Sequence, residues 1–398
     1  MLTAAERIKK YNVDEILFFL AVIFKPLYLL PSGSFQIGDF LFVAAVAVHF
    51  ITKKEKRPQN LILKDERSLL VFIIGVLIIN SIYWLAIGSF DFLLSSAYYV
   101  FNFLIVLFVA DVLQSDVTRT RFLDGLCNAC KIVMLFQLIV YVTGTGHDYI
   151  EAKHRHLGTF NDPNQYAVYI LLCMLIMLVA YNGVNIRSGF WFLLGTALII
   201  PSGSVGAIIS IGIFLTLFII LTAVKADKKK VLMVIACVAV IAAVLAVVKS
   251  LTGYTLHIGV VDMMISRFRE KAGSISGFGD IFNYLVNDRI WNRVFEQPKY
   301  LLYGAGEGAH IRFDPMAHEI HSSILGPPFY YGIVPSFFLF RWVYLKLKNI
   351  NGFQFCVYAA IIAESMILVN YRQPLFWLLF TLAGSANAES GSLLTSRQ

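Results

Sequence analysis

Charge is what this chain has least of. Only 15% of its 398 residues are Asp, Glu, Lys or Arg, against 58% hydrophobic and 14% aromatic residues. A soluble domain carries about 25% charge, so a soluble globular protein is excluded. Cysteine is scarce too, with five in the chain. Cys127 and Cys130 form a CxxC near the end of one apolar run, and Cys173, Cys237 and Cys356 lie inside others. None falls in the long polar segments where a disulfide framework would sit, and a lone CxxC here reads as small helix-packing residues rather than metal ligands. No cleavable leader is expected. The first apolar run, from Ile16, contains Lys25 and Pro26 and is followed by no small-residue cleavage site.

What is present is a succession of apolar runs, most of them long enough to cross about 30 Å of hydrocarbon. They predict an all-α polytopic membrane protein, a single integral membrane domain over residues 1–398, with about twelve spans: 16–30, 37–51, 69–87, 93–112, 122–142, 165–181, 189–200, 205–224, 231–248, 325–345, 353–369 and 374–383. Two of these need arbitration, because the seventh and eighth could be continuous and the twelfth is short. The clusters Lys53–Arg57 with Lys64 and Arg67, Arg119 with Arg121, Arg187, Lys225–Lys230, and Arg341 with Lys346 and Lys348 belong on the cytoplasmic side. A turn at Pro201–Ser204 puts all of them there, and both termini with them. Merging spans seven and eight would strand the Lys228–Lys230 cluster outside.

Two long segments are then external: 143–163, and a large loop, 249–323, between spans nine and ten. They hold seven of the eight histidines, and the basic residues Lys153, Arg155, Lys249, Arg267, Arg269, Lys271, Arg289, Arg293, Lys299 and Arg312. Among the short external connections only Arg372 is basic. Basic residues on that side work against the positive-inside bias, so they need a reason. The large loop balances eight Lys/Arg with eight Asp/Glu, so many of them read as surface ion pairs. The sharper reading is that a subset binds phosphate, because Arg offers a planar fork of donors and keeps its charge. Neither segment contains an Asp-x-Asp pair, which argues against a sugar-nucleotide transferase dependent on a divalent metal. No metal and no cofactor is expected.

Inside the large loop, Val260–Arg269 has one apolar helical face and reads as interfacial. Asp280–Phe295 also has helical spacing. Glycine-rich pieces at 273–279 and 303–308 punctuate them. The 303–308 piece has the superficial form of a phosphate cradle but follows no strand-and-helix unit, so it reads as a tight turn bringing Arg289 and His321 together.

The most informative stretch is His154-Arg-His-Leu-Gly-Thr-Phe-Asn-Asp-Pro-Asn-Gln165, which opens span six. It resembles the Arg-x-x-Gly-Thr-Phe-x-x-Pro-Asn element of the O-antigen polymerase and ligase superfamily. Ser202-Gly-Ser-Val-Gly-Ala207 stands in the place of that family's Ser-Arg-Gly turn. Arg289-Ile-Trp291, Pro298 and Gly304-Ala-Gly306 are similar to its Arg…Trp…Pro…Gly-x-Gly run. His321-Ser-Ser-Ile324 with Tyr331-Gly-Ile-Val334 resembles its His-Asn-x-x-Leu…Gly-x-x-Gly element. The match runs in order from Arg155 to Pro335, about half the chain. It departs at Val205, where the family has Arg, at Ser322, where it has Asn, and in the short Arg289–Trp291 spacing.

The resemblance implies a GT-C-type glycosyltransferase of the bacterial inner membrane. It would polymerise polyprenyl-pyrophosphate-linked oligosaccharide repeat units on the external face, in surface polysaccharide or O-antigen biosynthesis. Its partners would be that lipid-linked glycan, the bilayer, and flippase and chain-length regulator proteins, and no nucleic acid. The chemistry suits the residues: a departing pyrophosphate needs guanidinium stabilisation, and an attacking hydroxyl needs a base such as His. His321 is the expected base, its tautomer set by Glu319 or another carboxylate, and Arg155 and Arg289 the pyrophosphate grip. Asn161, Asn164, His154, His156, Arg312, His318 and Arg372 are substrate-binding candidates, with His318 the rival base. His321 also has a bland reading, as a helix-cap histidine. An O-antigen ligase, passing the glycan to a lipid acceptor, would use the same parts. A flippase or transporter of a lipid-linked anion is the alternative of another class, but it should place ionisable groups at mid-bilayer in repeated halves, and Lys25, Lys131 and Glu364 are the main charges near spans.

Topology is directly testable. Reporter fusions after Lys230 and after Lys348 are expected to read cytoplasmic, and fusions at Asp148 or Gly277 external. A cytoplasmic signal at Gly277 would put the arginines on the wrong side for an externally delivered substrate.

Overall fold

The computed structural model describes residues 11–30, 35–52, 65–147, 155–224 and 284–383, all helix, turn or irregular chain, with no strand among them. His154, the Lys225–Lys230 cluster, the run 231–248, the stretch Val260–Arg269 and the glycines of 273–279 lie outside the described residues. The helices are α1 (Val13–Phe24), α2 (Ile37–Thr52), α3 (Glu66–Ile87), α4 (Asp91–Val112), α5 (Asp116–Thr143), α6 (Pro163–Ala180), α7 (Ile186–Ile199) and α8 (Val205–Val224). After residue 284 come the short α9 (Asn292–Glu296), α10 (Tyr300–Tyr303) and α11 (Gly326–Tyr331), then α12 (Ile333–Leu347), α13 (Gly352–Ile367) and α14 (Pro374–Thr381). Five of them, α3, α4, α5, α6 and α8, are long and apolar enough to cross a membrane.

The centre of the bundle is α6. It is apolar all round rather than on one stripe, and such a helix must be covered on every side. Its residues from Tyr166 to Val179 are all buried, enclosed by α5, α7, α8, α13 and α14. At the other extreme α3 leaves Ile74, Ile78, Ile82 and Leu85 exposed at helical spacing, a face suited to lipid. It packs its opposite face on α4 and α12. Helices α1 and α2 form a hairpin against α5 and α4, and α8 pairs with α13.

Two runs that read as continuous are broken. The tenth apolar run, 325–345, divides into α11 and α12 at Gly332, whose φ of 75° no helix can hold. The carbonyls of Phe329 and Tyr330, freed by that break, accept instead from the Ala305 and Gly306 amides at 2.9 and 2.8 Å. From residue 284 the predicted helix of 280–295 is a π-helical turn, Tyr284–Asp288, separated from α9 by Arg289–Trp291, where Ile290 sits at φ 60°. A β-branched residue in the left-handed region is strained, and here it ends the helix and turns Arg289 out of it.

The ends of the bundle differ in character. Arg119 and Arg121 at the start of α5, Arg187 on α7, and Arg341, Lys346 and Lys348 along and beyond α12 belong to one end. There Arg121 pairs with the buried Glu15 at 2.7 Å and Lys346 with the buried Glu66 at 2.5 Å. The starts of α6, α8 and α14 and the ends of α7 and α13 lie at the other, where Lys25, just past α1, makes a buried pair with Asp39 of α2 at 2.7 and 2.8 Å. The Pro26 carbonyl beside that pair accepts from Thr159 Oγ1 at 2.7 Å, and Tyr28 N donates to the Thr159 carbonyl at 3.2 Å. The ion pair therefore anchors the loop that carries Arg155.

Removing one partner strands a buried charge, so Lys25→Ala or Asp39→Ala should each cost about 3–5 kcal/mol. Lys25→Met with Asp39→Leu should recover most of that loss. Thermal unfolding in detergent measures both, and equal losses in the single and paired variants would show that packing, not charge, is at stake.

Candidate functional site

The site is built on the start of α6. Asp162 is its N-cap, accepting from the amides of Asn164 and Gln165 at 2.8 and 2.9 Å, and Pro163 occupies the first helical position, where no amide is needed. The Asn-Asp-Pro-Asn turn is thus first of all a helix start. It also aims a side chain: Asn164 Oδ1 accepts from an Arg155 terminal nitrogen at 2.9 Å. Arg155 Nε donates to the Ser202 carbonyl at 2.6 Å, in the turn between α7 and α8. One guanidinium is therefore clamped between two helix ends. Asn161 stands in the turn ahead of the cap, partly exposed.

Beside this clamp lies a cavity of about 160 Å³. Arg155 and Asn164 form one wall, Gly203 to Gly206 at the start of α8 another, and Arg289 with Ile367 and Leu368, at the end of α13, the rest. Two guanidinium groups and the N-terminus of a 20-residue helix thus converge on one small space. The unpaired amides of a first helical turn carry partial positive charge, so the helix start and the two arginines favour an anion. Val205 stands where the family pattern has Arg; its wall is lined by backbone instead.

His321 adjoins the cavity through the main chain, its amide donating to the Arg289 carbonyl at 3.1 Å. Burial pushes its imidazole below the ordinary value; Glu319 pulls the other way and Arg289 reinforces the drop. The ring is therefore neutral near pH 7, the state in which it can accept a proton. The chain at His318–His321 is extended, and α11 starts only at Gly326, so the two histidines do not share a helical face. Ser322, where the family has Asn, caps the following turn, with its Oγ accepting from the amides of Ile324 and Leu325. Ser323 ties this segment to the end of α13, its amide donating to the carbonyls of Ser365 and Leu368 at 2.8 and 3.0 Å.

The other candidates are engaged elsewhere. Arg312 donates to the carbonyls of Ala305 and Gly306 and stacks on Tyr83, Phe92 and Phe313. It holds the 303–308 turn, which seats Glu307; Arg289 and His321, on either side of that turn in sequence, meet through the His321 amide. Arg372 lies between Glu307 at 2.7 Å and Glu319 at 2.5 Å, so its charge is met twice. Glu307, only 1% exposed, also accepts from Tyr331 and Tyr371. Because Arg372 takes the Glu319 carboxylate, Glu319 acts on His321 only through space, with no hydrogen bond to it among the described residues. His318 pairs with Asp314 at 2.6 Å. Sequence reasoning missed Ser202 as the clamp for Arg155 and Leu368 as a wall, because main-chain roles leave no mark in residue type.

His156 is a packing histidine. Its ring lies edge-on between Tyr141 and Tyr166, with centroids 4.9 and 5.1 Å away, and its amide donates to the Pro201 carbonyl. Burial lowers its pKa from 6.5 to about 4. The unfolded imidazole takes its proton near 6.5 and the folded one only near 4, so acidification removes stability across that window and costs nothing above it. His156→Phe should flatten the acid side of the curve of melting temperature against pH, and an unchanged slope would place the acid sensitivity elsewhere.

No family model and no curated protein matches this chain.

Proposed function

We propose that this protein is a metal-independent glycosyltransferase that polymerises polyprenyl-pyrophosphate-linked oligosaccharides at the outer face of a bacterial inner membrane, with the polytopic, about twelve-span GT-C-type topology expected from its sequence. The observation that carries the reading is the cavity where Arg155 and Arg289 meet the start of α8. These groups come from three separate segments of the chain and gather positive charge at one end of the bundle. A lipid-linked diphosphate is the substrate class that needs both an anion site and an adjoining membrane.

In this reaction the sugar–phosphate bond breaks and a bond forms between the anomeric carbon and the acceptor hydroxyl oxygen. The pyrophosphate leaves with the bonding electrons, and the two arginines and the helix start take up its charge. His321 Nδ1 or Nε2 receives the hydroxyl proton. Asn164 and the Ser202 carbonyl position Arg155, and the His321 amide ties base to grip through Arg289. The clustering of charge at one boundary supports an enzyme with a fixed site over a carrier that must expose its site to both sides.

The test is the state of glycan on its carrier in a deletion strain complemented with variants. Loss of a polymerase leaves single repeat units, loss of a ligase leaves long chains on the carrier, and loss of a flippase leaves no external substrate. Arg155→Ala and Arg289→Ala should leave single units at near-normal protein level, each losing roughly 1.5–3 kcal/mol of charge-assisted contact. The Lys variants should recover only part, because an ammonium cannot make the bidentate contact. His321→Ala should lose about 10²–10⁴-fold in rate while His318→Ala keeps substantial activity. Full activity of both Lys variants would reduce the arginines to diffuse charge, and an inactive His318→Ala beside an active His321→Ala would move the base.

A further inference from the structure

One charged group near the cavity is unused by this mechanism. Glu364, one turn before the end of α13, is fully buried. Its Oε1 has no hydrogen-bond partner, and Oε2 has only Ser210 of α8, at 3.4 Å. It lies directly behind Gly206: a Cβ there would stand 2.6 Å from Oε2 and 3.0 Å from Oε1, so only glycine lets the cavity wall and the carboxylate approach so closely. Among the described residues the charge that acts on it is Arg289, and Ser210 is the polar group that reaches it. The other helix against α13, α6, contributes no charge to it.

A buried carboxylate with a single long hydrogen bond keeps its charge only if an opposite charge compensates it. Here that charge is the Arg289 guanidinium, which also lines the anion cavity. The two roles compete. When an anion occupies the cavity, it takes up the field of Arg289 and adds its own negative charge a short distance from the carboxylate. Neutralisation by a solvent proton relieves both effects at once.

We propose that Glu364 is the counter-charge of the empty cavity and is protonated when a diphosphate enters, so that anion binding takes up one proton from solvent. This rests on the anion cavity of the proposed function and adds a linkage to it. With the site empty, Glu364 holds Arg289 against the repulsion of Arg155. With the site filled, the neutral carboxyl no longer opposes the phosphates. By linkage, affinity for the anion then falls as pH rises, by roughly tenfold per pH unit where the carboxyl is ionised in the empty protein and protonated in the filled one.

Inorganic pyrophosphate is the probe, titrated calorimetrically into the full-length protein in detergent, in buffers of different ionisation enthalpy, with Glu364→Gln beside the wild type. The ligand's own titration is common to both proteins, so the difference between them isolates the carboxyl. At a pH where the carboxyl is ionised in the empty protein, wild type should take up about one proton more than Glu364→Gln, and the variant should bind more tightly than wild type at alkaline pH. Equal proton uptake by two proteins that both bind would overturn the linkage and leave the cavity standing. No binding by wild type at any pH would remove the cavity reading and the linkage together. Should Glu364→Gln not fold, difference infrared spectroscopy on wild type alone decides: a protonated-carboxyl stretch must appear on adding pyrophosphate, and its absence overturns the proposal.

Discussion

Two guanidinium groups lining one small cavity repel each other, and holding them there is the constraint on which the rest of this end of the molecule depends. Arg155 is fixed by acceptors on two different helix ends, the Asn164 side chain and the Ser202 carbonyl. Arg289 is fixed through its main chain, whose carbonyl receives the His321 amide. Neither of these anchors is an acidic side chain. That separates these arginines from Arg372, clamped by two carboxylates, and from Arg312, spent on carbonyls and aromatic rings. Arg293, at the same end, is likewise engaged, donating to the His318 carbonyl at 2.7 Å.

The scaffold explains why such anchors are rigid. The central α6 is enclosed on all sides, so its first turn cannot tilt without disturbing five neighbours. The 155–160 loop is held from beneath by Thr159, which donates to the Pro26 carbonyl and accepts from Gln137, and from the side by the edge-on stack of His156 between two tyrosines. A Gly-Thr-Phe sequence reads as a binding motif, but Thr159 and the buried Phe160 are packing residues whose effect is to present Arg155. Motif and function are linked here through position, not contact.

Much of this is legible in the sequence. Hydropathy locates the long apolar helices, and Asp162 with Pro163 marks the start of α6, because caps and fixed proline angles are local properties. Motif order singles out Arg155 and Arg289, and the fold places both on one cavity. What escapes is non-local. Gly332 inside an apolar run gives no sign that the helix breaks there, since the break is stabilised by amides of residues 305 and 306. The partners of Arg372, His318 and Arg312 are likewise set by how the 303–319 segment folds back. A sequence shows that an arginine is present, not whether a carboxylate already occupies it.

Glu364 shows the same limit from the opposite side. In the sequence it is an acidic residue near the end of an apolar run, one of the few charges near a span. In the fold it is one layer behind an anion cavity and faces one of that cavity's arginines. A charge in the interior is costly unless compensated, so its neighbours determine its role. Placed alone it would be a defect; placed behind Gly206 it balances an arginine whose field is needed only when the cavity is filled. The buried acid and the half-buried Arg289 then form a single electrostatic unit with the site, and the polarity of that unit depends on whether the anion is present.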